Sequence, residues 1–342
     1  MQDISHLPLL AAANQAPGLV FAYRLHPDSS RAESLAASAI PDALAAQHGW
    51  VWLHVDLLDQ RTPGWINKIC ALPPCARMVF EGHVSSLALA HEDGVVHGVM
   101  ADLHGELARQ STRIGRLHFS VSEHLLVTGR RHPLQAVEEV HTAVAKGAST
   151  PPTNAFGLLE IIVAAFCRNT GQRLATATIV LDEVEDHLVT ERLSDERANL
   201  KDVRRLAVSL HRPIGALAEL FKEEDRAGWA LGKNGHQALE RIALRLNRLD
   251  QEVVTVNDRA RLLQEEVAAE LADESNRSLR ALALISALLL PGTLIAGIFG
   301  MNTGGLPLAH AASGFLIAML IGIGATAIFY GLLKRAGANL RF

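Results

Sequence analysis

Between Ala281 and Leu333 the chain carries no Lys, Arg, Asp or Glu. Within those 53 residues two apolar runs of nineteen, Ala281 to Phe299 and Phe315 to Leu333, are separated by a short polar segment. A helix needs roughly 20 residues to cross the hydrocarbon core of a bilayer, where each backbone polar group must be satisfied within the helix itself. Two buried helices of a soluble core would also be apolar, but consecutive core helices seldom go uncharged for so long. The pattern predicts a transmembrane hairpin, with a first span over 281–301, a loop over 302–314 and a second span over 315–333.

The cations sit at the outer ends of this hairpin. Arg277 and Arg280 precede the first span, Lys334, Arg335 and Arg341 follow the second, and the connecting segment has none. Cytoplasmic flanks are the ones that accumulate Lys and Arg, so both termini are expected in the cytoplasm and the loop on the periplasmic side. No earlier run is long enough to span, and Met1 to Leu10 lacks the basic and apolar regions of a signal peptide. The expected protein is a large cytoplasmic part hung on a C-terminal hairpin, with 334–342 as a basic cytoplasmic tail.

Upstream, residues 1–147 read as an α/β domain. Short β-rich runs occur at Leu19 to Leu25, Trp50 to Leu57, Ser86 to Ala90, Val95 to Leu103, Arg116 to Val121 and Leu125 to Thr128, with Glu92-Asp93-Gly94 as a hairpin turn. Val51, Leu53, Val55 and Leu57 alternate with Trp50, Trp52 and His54, so the first set is expected to face inward and the second to take the other side. After the loop at Gly147 to Pro152, with helix-start chemistry at Thr153 or Asn154, the β signal ends and 153–280 read as a helical stalk. Leu239, Ile242, Leu246, Leu249, Val253, Val256, Ala260, Leu263 and Val267 recur at steps of three and four, a heptad seam. No proline interrupts the chain between Pro213 and Pro291. A helix starting near His236 can therefore run into the first span, over on the order of 95 Å at about 1.5 Å per residue. The seam fits packing against the preceding helices and packing against copies of itself equally well. Two spans are too few to enclose a water-filled path, so a conducting protein of this design must oligomerise.

Composition narrows the chemistry. The net charge of −4 offers nothing toward a nucleic acid partner, and none is expected. Three cysteines, Cys70, Cys75 and Cys167, cannot all pair, which argues against a disulfide framework. Twelve of the sixteen histidines precede residue 142, yet neither His91, His97 and His104 nor Cys70, Cys75 and His83 has a strong zinc spacing. No phosphate-binding glycine loop, nucleophile elbow or metalloprotease spacing is present, so the chain does not read as an enzyme.

The run Pro291-Gly292-Thr293-Leu294-Ile295-Ala296-Gly297-Ile298-Phe299-Gly300-Met301-Asn302 resembles the end of the first transmembrane helix of the CorA family of divalent-cation transporters, which a Gly-Met-Asn signature closes. The resemblance extends to the order of parts along the chain and implies an α+β, CorA-like funnel: a cytoplasmic α/β domain and a long helical stalk continuing into the hairpin. It implies a homopentamer in the bacterial inner membrane, with Gly300, Met301 and Asn302 ringing the outer pore entrance. Leu282, Ser286, Leu290, Thr293, Gly297 and Gly300 recur every three or four residues on one helix face, as pore-lining positions would. Small residues there let five backbones approach and offer carbonyl oxygens to a hydrated cation, although small residues also mediate plain helix packing in membranes. Pro291 removes the helical partner of the Ala287 carbonyl, which would leave an oxygen or a bend in that segment.

Magnesium and cobalt transporters of the family usually follow the signature with an acidic, Met-Pro-Glu-like loop. Thr303-Gly304-Gly305-Leu306-Pro307-Leu308 is instead similar to the Gly-Gly-Ile-Pro loop of the ZntB branch, associated with zinc. His310 is the loop's only titratable side chain and a candidate metal ligand, and imidazole suits zinc better than magnesium. The expected cargo is Zn2+, with uptake favoured over efflux and a proton gradient as a driving force that the resemblance suggests. No resident cofactor is expected. The span region offers no carboxylate for a proton relay. Glu265, Glu266, Glu270, Asp273 and Glu274 form a solvated helix face, or concentrate cations where they face an axis, while Arg277 and Arg280 suit lipid headgroups. The alternatives are a Mg2+/Co2+ channel of the CorA type and a membrane-anchored sensor or scaffold.

Overall fold

The computed structural model describes residues 16–27, 32–46, 49–84, 86–105, 114–147, 152–189, 196–226, 228–300 and 313–335. It divides into two compact units, one up to Gln264 and one from Glu265 onward.

The first unit is built on a seven-stranded sheet. Its strands are β1 (Leu19–Leu25), β2 (Glu33–Ser34), β3 (Trp50–Asp56), β4 (Ala88–Glu92), β5 (Val95–Leu103), β6 (Ile114–Val121) and β7 (Leu125–Arg130), in the spatial order β2-β1-β3-β7-β6-β5-β4. Only β3 and β7 pair in parallel; the other neighbours are antiparallel. Asp93 and Gly94 turn β4 into β5 with φ of 51° and 77°, the doubly positive geometry that a two-residue hairpin demands and an Asp-Gly pair supplies.

Three short helices, α1 (Ile40–Ala45), α2 (Thr62–Ile69) and α3 (Pro74–Phe80), each begin with a proline in the first turn, where its missing N–H costs no hydrogen bond. They cover one sheet face, packing Ile40, Ile66, Ala76, Val79 and Phe80 on Val51, Leu53 and Val55. Over the other face lie α4 (Gln135–Lys146) and α5 (Ala155–Val189), followed by α6 (Glu196–Arg226). Asn154 caps α5, its Oδ1 accepting the Gly157 N–H at 2.8 Å. Helix α4 has no cap of its own; the carboxylate of Asp102 on β5 accepts the Ala136 N–H instead, at 3.1 and 3.2 Å.

The expectation that β3 presents two unlike faces fails in one respect. Trp52 and His54 are as completely buried as Leu53 and Val55, because helices cover both sides of a central, parallel-paired strand. Polar atoms on that face converge on Thr128, while His54 Nε2 is buried without a hydrogen-bond partner among the described residues. Thr128 Oγ1 donates to the Leu53 carbonyl at 3.1 Å and accepts from Trp52 Nε1 at 2.9 Å. Its one proton is thus committed, so the 2.8 Å contact from His54 Nδ1 must also be a donation to it.

One helix, α7, runs for 68 residues from Lys233 to Gly300. Its heptad residues Leu239, Ile242, Leu246, Leu249, Val253, Val256, Ala260 and Leu263 are all buried within the first unit. Polar contacts flank that packing: Arg241 and Arg245 reach Glu160 of α5, and Arg204 of α6 reaches Gln264. The seam packs against the chain's own preceding helices, the first of the two uses open to it. The second unit consists of the rest of α7 and helix α8 (Gly314–Arg335).

Candidate functional site

The last turns of α7 are held by sequence-local chemistry. Ser286 Oγ donates to the Leu282 carbonyl and Thr293 Oγ1 to that of Leu290, both at 2.9 Å, so neither hydroxyl is left bare in an apolar helix. Pro291 lies inside α7, which continues past it although the Ala287 carbonyl has no N–H to accept from four residues on. The helices α7 and α8 are both long and apolar enough to cross a membrane, and none of either apolar window is buried within the chain.

Helix α8 meets α7 along Leu288, Gly292, Ile295 and Phe299, which with Phe315, Met319 and Gly322 border a loosely packed cleft of about 850 Å3. By helix geometry that contact lies about 145° around α7 from the centre of the stripe Leu282, Ser286, Leu290, Thr293, Gly297 and Gly300. All six stripe residues are exposed, Leu282 at 62% and Leu290 at 66%, so α8 leaves the stripe from Leu282 to Gly297 unoccupied. A Cβ added at Gly297 would meet no atom within 4 Å. Gly300 also borders the cleft and is the last residue of α7. Met301, Asn302 and His310 lie outside the described residues.

The same spacing continues toward the N-terminus through Leu279, Ser275, Ala272 and Ala268, all exposed. Glu265 stands nearest to this line among the acidic residues, about 65° from it, while Glu266, Glu270, Asp273 and Glu274 lie more than about 110° away. Arg277 and Arg280 are exposed on α7 and lie about 175° and 125° from it, where they do not oppose a cation on the stripe.

The two looser metal sets are not assembled. Cys70 is buried, its thiol pushed up to about 12 by that burial, whereas Cys75 is exposed and His83 lies beside Glu81 at 3.7 Å. His91 stacks on Trp229, and His97 is buried in β5. Among the described residues no three His, Cys, Asp or Glu side chains are arranged to hold a metal.

Comparison with known proteins gives this geometry its context. Residues 47–335 match the family described as CorA-like Mg2+ transporter protein. The chain is 23% identical over 297 residues to the zinc transport protein ZntB of Yersinia enterocolitica, covering 84% of this chain and 89% of that protein. Among solved structures, that of the full-length CmaX protein superposes with a TM-score of 0.76 at 21% identity, over 94% of this chain and 98% of the other. The complete CorA magnesium transporter from Methanocaldococcus jannaschii superposes with a TM-score of 0.70 at 16% identity, over 92% and 97%. These structural likenesses carry the fold: a sheet domain, one long helix and a C-terminal partner helix. With the family match spanning both the sheet domain and the two apolar helices, the chain belongs to the CorA family and is a transporter of divalent cations rather than an enzyme.

Proposed function

We propose that the protein moves Zn2+ across the bacterial inner membrane through a central pore formed by five copies of the chain, with both termini in the cytoplasm. The observation that carries the pore is the exposed stripe on α7. Six residues at pore spacing remain unpacked although α8 is already seated on another face of the same helix. A polar or small-residue face left open in an apolar helix is stabilised by meeting its own copies or water, not by lipid. Leu282, Ser286, Leu290, Thr293 and Gly297 then line the path, and Gly300, Met301 and Asn302 form its outer mouth. The Asn302 amide oxygen, repeated around the axis, faces a hydrated ion without adding net charge.

Zinc is favoured because the loop after the signature has no carboxylate and one imidazole, His310, and because the relatives named as zinc transport proteins align over most of the chain. Uptake follows the membrane potential for a divalent cation, worth roughly 2.3 kcal/mol per charge per 100 mV. A proton gradient would act through the ion path or His310, since no carboxylate lies between Ala281 and Leu333. The description of the family as Mg2+ transporters favours magnesium or cobalt as the second reading. The test is flux into proteoliposomes with zinc and magnesium compared, with and without an imposed pH gradient. Zinc-selective flux supports the reading, magnesium-selective flux blocked by a hexammine cation replaces it with the second, and no flux of either sinks both.

A further inference from the structure

Gly82 sits beneath the guanidinium of Arg131. Its φ is +84°, and a Cβ built there would come 2.6 Å from Nη2 of that arginine, so any side chain at this position would push Arg131 away. Gly115 plays a similar part on β6, where a Cβ would come 2.6 Å from Leu134 Cδ2 and 3.1 Å from His104 Cδ2. Between these two glycines lies a cavity of about 400 Å3, lined by Arg116, Arg131, His104, His118 and His132. That volume suits a small metabolite.

The lining is one-sided in charge. Among the described residues no carboxylate borders the cavity, and neither Arg116 nor Arg131 is ion-paired. His118 is buried with Nδ1 at 2.9 Å from the Val79 carbonyl, which fixes its ring in place. Burial first, then the positive fields of Arg131 and Arg116, lower its affinity for a proton, so both guanidiniums act on the same spot. His104 and His132 stack with ring centroids 5.2 Å apart. Two arginines would repel a metal ion, which separates this cavity from the cation chemistry of the α7 stripe. Unpaired guanidiniums are planar forks matched to oxyanions, and the N–H groups of His104 and His132 add further donors, whereas His118, with its Nδ1–H given to Val79, presents an acceptor Nε2 suited to the hydroxyl of a hydrogen phosphate. A doubly charged tetrahedral group uses two arginines and two imidazoles more fully than a single carboxylate does.

We propose that this cavity in the first unit is a binding site for a phosphate-bearing small molecule. The recognised part is the phosphate group itself, whether free or esterified, and the site is independent of the ion path.

The experiment is isothermal titration of the full-length protein in detergent, metal-free and at constant ionic strength, with inorganic phosphate, pyrophosphate and a nucleoside diphosphate in turn. At least one of the three is expected to bind with a dissociation constant below about 1 mM, a modest affinity for a few charge-assisted contacts. Arg116→Gln and Arg131→Gln, both exposed positions that leave the core alone, should each weaken it about tenfold or more, the worth of one charge-assisted hydrogen bond. Arg61→Gln, whose arginine is already paired with Asp59, should change it less than twofold. Binding of inorganic phosphate assigns the site to the free anion, and binding of the diphosphate alone assigns it to an ester. Absence of binding by all three, or affinities that both arginine variants leave within twofold, or equal competition by chloride, would overturn the proposal.

Discussion

Arg259 of α7 grips Glu185 of α5 with two parallel hydrogen bonds, Nε to Oε1 at 2.8 Å and Nη2 to Oε2 at 2.6 Å. The same Nη2 reaches Asp182 Oδ1 at 2.6 Å, one turn earlier on α5. The Arg259 hydrogen bonds pull the Glu185 carboxyl below its ordinary range, while its partners raise the guanidinium further above an already high value. This fork holds α7 in register against α5 beside the buried residues Val256, Ala260 and Leu263.

Arg259→Ala should therefore lower the stability of the first unit by about 1 kcal/mol, toward the upper end for a partly exposed pair because it is bidentate and shared by two carboxylates. Arg248→Ala is the comparison: its arginine is 83% exposed and pairs with Glu252 only along α7 itself, so its loss should be close to immeasurable. All four tryptophans, at positions 50, 52, 65 and 229, precede Glu265, so tryptophan fluorescence during chemical unfolding reports on the first unit. Equal midpoints for the two variants would show that the fork contributes nothing beyond an exposed pair.

His54 and Asp102 give the sheet two opposed dependences on pH. Burial lowers His54 from 6.5 to about 3, with Arg130 and His141 adding to the effect, so its contribution to stability is present above pH 6.5 and lost as pH falls toward 3. Burial raises Asp102 from 3.8 to about 7 against the hydrogen bonds it accepts, so its contribution is present below pH 3.8 and lost as pH rises toward 7. Between pH 4 and 6.5 the two slopes largely cancel, each bounded at about 4–5 kcal/mol by the size of its shift. Asp102→Asn should unmask a stability that rises with pH in that window, and His54→Asn one that falls. Unfolding midpoints at pH 4.5 and 6.5 measure both; parallel profiles in the two variants would contradict the assignment.

The elements with strong local signals were legible in the sequence. Val95–Leu103 and the Asp93-Gly94 turn stand as read, because alternation and turn chemistry act over a few residues. The two-sided burial of β3 was not legible, since Trp52 and His54 look like an amphipathic partner face until the position of α4 is known. Periodicity also leaves the partner of a heptad seam open: Leu246 and Val253 require a facing helix, and only the tertiary arrangement shows that α5 and α6 of the same chain supply it. The cavity of Arg116, Arg131 and His118 was invisible for the same reason, as its lining comes from four separate segments. In the candidate pore the spacing was legible, but its exposure depends on where α8 settles.

Gly297→Leu separates the chain from the assembly. A Cβ at 297 meets nothing within 4 Å in the single chain, and leucine is a better helix former than glycine, so the protomer should fold at least as well. In a closed ring of copies the same leucine is repeated around the axis and fills the path. Zinc flux should drop at least tenfold, a barrier increase of about 1.4 kcal/mol or more. Gly331→Leu on α8, which also meets open space, should leave flux within twofold. Matching flux in Gly297→Leu and the unmodified protein would remove Gly297 from the path.

Asn302→Ala and His310→Ala together decide where the loop acts on the ion. In the proposed pentamer the first removes a neutral oxygen donor from every copy at the mouth while leaving the buried face of α7, from Leu239 to Leu263, untouched. Flux should fall to background with the oligomer intact by cross-linking and size-exclusion chromatography, because the groups holding the first unit together are elsewhere. A sensor or scaffold would tolerate this change without functional loss. His310→Ala removes the one imidazole of the loop, eight residues beyond Asn302, and should shift apparent zinc affinity or its pH dependence only modestly, by about threefold, since one imidazole is a weak ligand on its own. If His310→Ala abolishes flux and Asn302→Ala does not, ion capture belongs to the loop imidazole, and the signature at Gly300, Met301 and Asn302 serves only to end the helix.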